Sequence, residues 1–200
     1  MATFKSKEQF FERDPTHDFF PFLSLEKQYE MVSRYCSLHD GVPESVRSYF
    51  NMVVTLYLYG WLYYPFYTLA AFLSTFVVEM ALRERFPAKK LNKRGRDSRF
   101  LGDLLREAND AGLLRDEGFP SLERRRANAE EMRQEMAEIL GRDPEPEPEV
   151  PYLDVLIRTL PYLRNRFAHP DIHTILPPGP ALDSLIVAAE IINQLWPKPA

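Results

Sequence analysis

A single cysteine, Cys36, stands in 200 residues, so neither an intrachain disulfide nor a multi-cysteine zinc site can form. A reducing compartment, the cytoplasm, is the expected location, with Cys36 as a core thiol. Only eight glycines are present, and none falls in a GxxxxGK[ST] or GxGxxG pattern, which excludes the usual phosphate-cradling loops for ATP or a dinucleotide. A GxSxG nucleophile elbow is also lacking. There is no excess of positive charge: the net charge of −4 and pI near 5.7 argue against coating nucleic acid through a general positive field. Any nucleic-acid contact is therefore expected to be local. Met1 to Asp18 mixes charges and aromatics without the continuous apolar stretch of a signal peptide, so export is not expected. No segment combines period-two alternation with β-branched residues and turn signals, so a sheet is not expected either.

What the chain does have is helical apolar spacing, and the expected class is all-α. Ser24 to Leu38 reads as a helix with Ser24 as N-cap, Leu25, Tyr29, Val32 and Cys36 on one side, and Gly41 just past the end. Pro43 opens the next, Glu44 to Tyr59. Phe66 to Phe86 follows, with Leu69, Phe72, Leu73, Phe76 and Met80 sharing a face, and Pro87 forbids its continuation. Ser98 to Leu114 is expected to be capped by Asp97 or Ser98. Ser121 to Leu140 is mostly charged, and its narrow stripe of Leu122, Ala129, Met132, Met136 and Ile139 suits a surface helix. The alternating prolines and carboxylates of Asp143 to Val150 suit an extended linker. Pro151 starts a helix through Phe167, with Leu153, Leu156, Ile157, Leu160, Leu163 and Phe167 inward, which Pro161 must kink or start afresh. A last helix after Gly179 and Pro180 turns Leu182, Leu185, Ile186, Ala189, Ile192 and Trp196 to the core. The expected organisation is an N-terminal helical extension over 1–42 and a bundle over 43–200, with a charged insertion and Pro/Glu linker at about 115–150.

Met52 to Val78 contains no charged residue and is long enough to cross a bilayer, for which roughly 20 apolar residues suffice. Eight cations follow, Arg83 to Arg99, against only Glu84 and Asp97, for a net +6, as a cytoplasmic flank would. Against a membrane, Tyr57, Tyr59, Tyr63, Tyr64 and Tyr67 occupy the middle of the run rather than its ends, and Gly60 and Pro65 divide it. Two core helices meeting near Gly60 to Pro65, their tyrosine hydroxyls partnered inside, are the favoured expectation.

The chemistry-bearing segment is Arg164-Asn165-Arg166-Phe167-Ala168-His169. An arginine keeps its proton and offers a planar fork to phosphate oxygens, whereas a histidine exchanges protons near neutral pH. Together they suit phosphodiester cleavage without a metal, in which His169 moves protons and Arg164 holds the phosphate. On one regular helix of 3.6 residues per turn, positions 164 and 169 diverge. Two arrangements remove the conflict: Pro170 biases His169 out of the helix, or a symmetric dimer supplies the second copy. His169 and His173, with Asp171 between, have the spacing of a metal pair, but Pro170 breaks the helix that would align them, so no metal and no cofactor is expected. His17 and His39 lie in polar contexts and are expected at the surface.

The segment L-R-N-R-F-A-H-P resembles the signature of HEPN domains, an arginine, a polar residue and then a histidine a turn or more later. A-L-R-E-R-F at Ala81 to Phe86 and L-G-D-L-L-R-E-A-N-D-A-G-L-L at Leu101 to Leu114 resemble the two helices that usually precede it, and the likeness covers about Tyr67 to Trp196. Pro161, close before the motif, and the charged insertion depart from the family pattern.

The resemblance implies a helical bundle that dimerises to face two motifs, acting as a metal-independent endoribonuclease in toxin, defence and RNA-processing members. It makes Arg164 the phosphate-binding arginine, Asn165 the orienting polar residue and His169 the catalytic histidine. Glu79 would be the acidic residue of an earlier helix. Arg166, which the resemblance does not assign, is expected as a surface residue or a second phosphate contact. Expected partners are RNA or a nucleotide, a second copy of the chain and an antitoxin protein. Separately from the resemblance, the local excess of positive charge makes Arg83, Lys89, Lys90, Lys93 and Arg94 candidate RNA-backbone contacts, the alternative being a solvated, exposed loop. Other family members bind nucleotides or partners without catalysis, which is the alternative expectation.

Overall fold

The computed structural model describes residues 5–19, 23–88, 95, 97–141, 150–168, 175–196 and 198, with the side chains of Phe167 and Ala168 excepted. Among them the chain is all-α and contains no strand. The α-helices are α1 (Leu25–Tyr35), α2 (Glu44–Tyr59), α3 (Pro65–Arg85), α4 (Leu101–Asp110), α5 (Pro120–Leu140), α6 (Tyr152–Ala168) and α7 (Pro178–Leu195). Short 3-10 turns occupy Pro15–Phe19 and Asp116–Gly118.

The centre of the bundle is α3, packed between α2 and α7. Its inward face is not the bulky stripe expected from the sequence. Leu69 is 40% exposed, whereas Tyr67, Ala70, Ala71, Ser74, Thr75, Val77, Val78, Ala81 and Leu82 are buried. The physical reason is that small side chains let two neighbouring helices approach from two sides, which one bulky face cannot do. Ser74 and Thr75 cost little there, because each hydroxyl donates to a carbonyl of its own helix, Ala71 at 2.7 Å and Phe72 at 2.8 Å.

The charge-free run from Met52 to Val78 is two helices broken by the turn at 60–64. Gly60 sits where the next helix crosses: a Cβ there would lie 2.5 Å from the Tyr67 ring. Two tyrosine hydroxyls are partnered inside, Tyr57 donating to the Pro178 carbonyl at 3.2 Å and Tyr67 to Gln28 Oε1 at 2.8 Å. Tyr59 and Tyr63 are instead exposed. α3 is long and apolar enough to cross a membrane, but half of its most apolar stretch is buried within the bundle.

α1 begins as expected, with Ser24 Oγ accepting from the Lys27 N–H at 3.2 Å, and ends at Tyr35, well before Gly41. Its inward residues are Gln28, Val32 and Cys36, while Leu25 and Tyr29 face out. α4 starts later than the sequence suggests, because Asp97 and Ser98 do not cap it. Instead Asp103 reaches back to accept the Phe100 N–H at 2.9 Å, and Asp97 is committed to arginines. α6 runs through Pro161 as one element rather than starting afresh, and Leu163 lies half-exposed. In α5 only Ser121 and Leu122 are buried, and Met132, Met136 and Ile139 are exposed, as a surface helix requires.

Both histidines expected at the surface are corrected by the structure. His17 is fully enclosed. Residues 5–19 fold back over the α2–α3 corner, where backbone groups at the helix ends need partners. Asp14 accepts from the Tyr64 N–H at 2.9 Å, and His17 Nε2 lies 3.2 Å from the Gly60 carbonyl. Lys5 donates to the Leu62 carbonyl at 2.7 Å. His39 is half-buried against α7. Its Nδ1 accepts from the Gly41 N–H at 3.0 Å, which assigns the proton to Nε2, 3.1 Å from the Asn193 carbonyl.

Candidate functional site

Arg164 lies near the C-terminal end of α6 and turns inward toward α3, because positions 153, 157, 160 and 164 share the buried side of this helix. Its Nε is 3.5 Å from Glu79 Oε2, and its guanidinium stands over the Phe76 ring at 5.1 Å. Glu79 and Phe76 are neighbours on one face of α3, one turn apart, so a single helix presents both the anion and the aromatic surface. The Arg164 side chain is 32% exposed and that of Glu79 14%, which leaves a guanidinium edge open to solvent.

Glu79 is shared. Its Oε1 accepts from Arg83 Nε at 3.2 Å and Nη2 at 2.7 Å. Arg83 in turn pairs with Asp97 at 2.8 Å and donates to the Arg99 carbonyl at 2.8 Å. Arg99 binds Asp97 through Nε and Nη2, reaches the Phe86 carbonyl at 2.6 Å and pairs with Glu107. The result is an alternating chain, Arg164–Glu79–Arg83–Asp97–Arg99–Glu107, that ties α6, α3 and α4 together. The Arg99 side-chain and backbone hydrogen bonds hold the Asp97 carboxyl far below the usual carboxylate range, and raise Arg99 above its own. Three guanidinium groups thus meet three carboxylates in one half-buried strip.

Of the residues singled out in the sequence, the structure brings together Arg164, Glu79 and Arg83. Asn165 is exposed and only grazes the cluster, its Oδ1 3.4 Å from Arg164 Nη1. Arg166 is exposed, two positions and some 200° further round the helix, and belongs to the opposite face. Arg83, expected as an RNA-backbone contact, is instead consumed by Glu79, Asp97 and a carbonyl. His169, Lys89, Lys90, Lys93 and Arg94 lie outside the described residues, as do Asp171 and His173.

Sequence reasoning missed Phe76 as the platform under Arg164, and Asp97, Arg99 and Glu107 as members of the chain of charges. The available signal was the i, i+4 pair Glu79–Arg83, which put an acid of α3 beside the basic stretch. Nothing local in the sequence says that Arg99 folds back on Asp97.

A broad groove of about 1090 Å³ opens elsewhere, between α5 and α6, rimmed by Arg126, Arg133 and Arg158 with Val150 and Val155 in its floor. It lies on the side of α6 away from Arg164. Compared with family models, with curated proteins and with solved structures, the chain matches none.

Proposed function

We propose that this chain is a metal-independent endoribonuclease of HEPN type, acting in the cytoplasm as a homodimer. The observation that supports it is the seating of Arg164 on Glu79 and Phe76, with an open guanidinium edge, five residues before His169. A guanidinium fixed on two sides loses little freedom on taking a phosphate, and its fork matches two phosphoryl oxygens. In the reaction, a neutral His169 takes the proton of the ribose 2′-hydroxyl. The 2′-oxygen attacks phosphorus, the bond to the 5′-oxygen breaks, and an imidazolium returns the proton to that leaving oxygen. Arg164 stabilises the charge gathering on the non-bridging oxygens. The products are a 2′,3′-cyclic phosphate and a 5′-hydroxyl. A toxin or defence role, with an antitoxin protein as partner, follows from the same resemblance.

A second reading draws on the balance of charge. Three carboxylates offset the three guanidinium groups of the strip, which favours a module that clamps a nucleotide phosphate without breaking a bond.

One experiment separates them. Purified protein is incubated with single-stranded RNA in EDTA and the products' ends are mapped, beside fluorescence anisotropy with the same RNA. Cyclic phosphate ends, lost in His169→Ala at unchanged melting temperature, support the nuclease; removing a general acid–base typically costs about a hundred- to ten-thousand-fold. Binding without products supports the second reading. Cleavage by His169→Ala at the wild-type rate overturns the mechanism.

A further inference from the structure

A second feature is independent of any RNA chemistry. Between α3, α6 and α7 lies an apolar cavity of about 230 Å³. Its walls include Ala71 and Val78 of α3, Leu156 and Leu160 of α6, and Val187 and Ala188 of α7. The hydroxyls in this wall are spent on their own helices: Ser74 and Thr75 donate to Ala71 and Phe72, and Ser184 to Pro180. They therefore present carbon to the cavity. Lining positions run from 71 to 78 on α3 and from 183 to 191 on α7, which at about 1.5 Å per residue is a length of roughly 10 Å along the helix axes.

Well-packed interiors hold few voids larger than a water. This one is open on the side lined by Arg125, Thr159 and Asp183 and equals the liquid volume of about seven or eight waters at roughly 30 Å³ each, while its inner wall is largely carbon. An apolar cavity of about 150 Å³ suffices for benzene, so this one suits a molecule of about ten non-hydrogen atoms.

The polar groups of the lining gather around Arg125, which borders both the cavity and the α5–α6 groove. Arg125 Nη1 donates to the Tyr152 hydroxyl oxygen at 3.0 Å. Its contacts to Asp183 are long, 3.4 Å to the carboxylate and 3.5 Å to the carbonyl. Its Nε is buried with no acceptor at all. A buried donor on a permanent cation that lacks an acceptor is costly, and a planar carboxylate satisfies it together with a neighbouring guanidinium N–H. Tyr152, already accepting from Arg125, keeps its own proton to donate to the same head. Asp183 beside it repels a doubly charged phosphate more than a head with a single negative charge.

We infer that this cavity is a binding site for a medium-chain aliphatic carboxylate, its tail among α3, α6 and α7 and its head on Arg125 and Tyr152. Entry is from the groove, whose wall shares Arg125, Tyr152, Val155 and Thr159 with the cavity.

The test is calorimetric titration of the full chain with hexanoate, heptanoate, octanoate and dodecanoate, and with octan-1-ol as the uncharged analogue. Expected are 1:1 binding of octanoate, a gain of about fourfold per methylene up to eight carbons, and loss of that gain at twelve. Ala188→Leu should abolish octanoate binding without lowering the melting temperature, and Ser74→Leu serves as the filling variant where the first does not fold. Arg125→Gln should weaken octanoate at least tenfold and leave octan-1-ol unchanged. Absence of saturable octanoate binding overturns the site, as does binding unaffected by the filling variants. Equal affinity for octan-1-ol and octanoate, unmoved by Arg125→Gln, overturns the role of Arg125.

Discussion

His17 shows how far a side chain's surroundings can depart from its sequence neighbours. Flanked by Thr16 and Asp18, it is nonetheless enclosed by Trp61, Tyr64 and Tyr67, with ring centroids 4.7, 5.4 and 5.7 Å away. Burial disfavours the imidazolium by more than the Gly60 carbonyl and the carboxylates of Asp14 and Asp18 favour it, with Arg13 adding repulsion, so its pKa lies below the ordinary value. An unfolded histidine titrates near 6.5. Below that pH, and down to the lower folded pKa, the unfolded chain binds more protons, so stability falls as pH falls. The slope from one such group is at most about 1.4 kcal/mol per pH unit. Melting temperatures measured from about pH 7.5 to about 5.5 should therefore decline, and His17→Gln should flatten the decline; an unchanged slope would contradict this account. Asp14 acts in a lower window. Burial raises its pKa, but hydrogen bonds from Tyr64 and Thr16 outweigh burial and hold it below the ordinary carboxylate value, so its contribution is present above about pH 4 and lost beneath it.

Glu79 belongs at the same scale, since one carboxylate serves two arginines. Glu79→Gln keeps the shape but leaves Arg164 without its anion and Arg83 with only Asp97. The expected cost is about 1–3 kcal/mol of stability, from losing hydrogen bonds to charged groups, read as a lower urea midpoint at unchanged slope. In the assay that tests the proposed RNA cleavage, the variant should lose kcat more than KM, because Arg164 remains present but no longer held in place. A variant as stable as wild type would show that the pair is a surface contact of little worth.

Among the elements, helix identities were legible because apolar periodicity, prolines and caps agreed: Pro43 and Pro65 stand at or just before helix starts, and Ser24 caps α1. Faces were less legible. In α3 the largest apolar side chains form a stripe, and periodicity alone points it inward, yet close approach to both α2 and α7 requires the alanines and hydroxyls instead. The start of α4 differs from the expected one for a related reason. Asp97 has the right chemistry for a cap, but Arg83 from α3 and Arg99 two residues on claim it first. The candidate site was partly legible: the i, i+4 pair at Glu79 and Arg83 lies on one helix, whereas the approach of Arg164 depends on how α6 packs on α3. The Gly60 corner gives this scale its prediction. Gly60→Ala places a methyl within 2.5 Å of Tyr67 and should cost about 1–3 kcal/mol by overpacking. Gly141→Ala, at φ +60° with open space around it, should cost only about 1 kcal/mol of backbone strain. Chemical denaturation of both variants should rank them in that order, and the reverse order would mean that the α2–α3 corner yields easily.

At the scale of the molecule, the N-terminal segment behaves as a strap on the bundle. Lys5, Asp14 and His17 meet the backbone of residues 60–64, and Asp14 also donates its N–H to the Trp61 carbonyl at 3.0 Å. These contacts satisfy polar groups of the turn between α2 and α3, and those two helices carry much of the core. Removing residues 1–19 uncovers Tyr64 and Tyr67, which are otherwise buried, and leaves the Gly60 and Trp61 carbonyls to water. At about 1 kcal/mol for each of the four hydrogen bonds lost, the deletion should remove about 4 kcal/mol, or roughly 8–16 °C in Tm for a chain of this size. The helix content by circular dichroism should be nearly unchanged, since only the turn at Pro15–Phe19 is removed. A hydrophobic dye should bind the shortened chain where it does not bind the full one, because the aromatic cluster under His17 becomes a surface. A deletion that melts with the wild type and binds no dye would show that the bundle is complete without its strap.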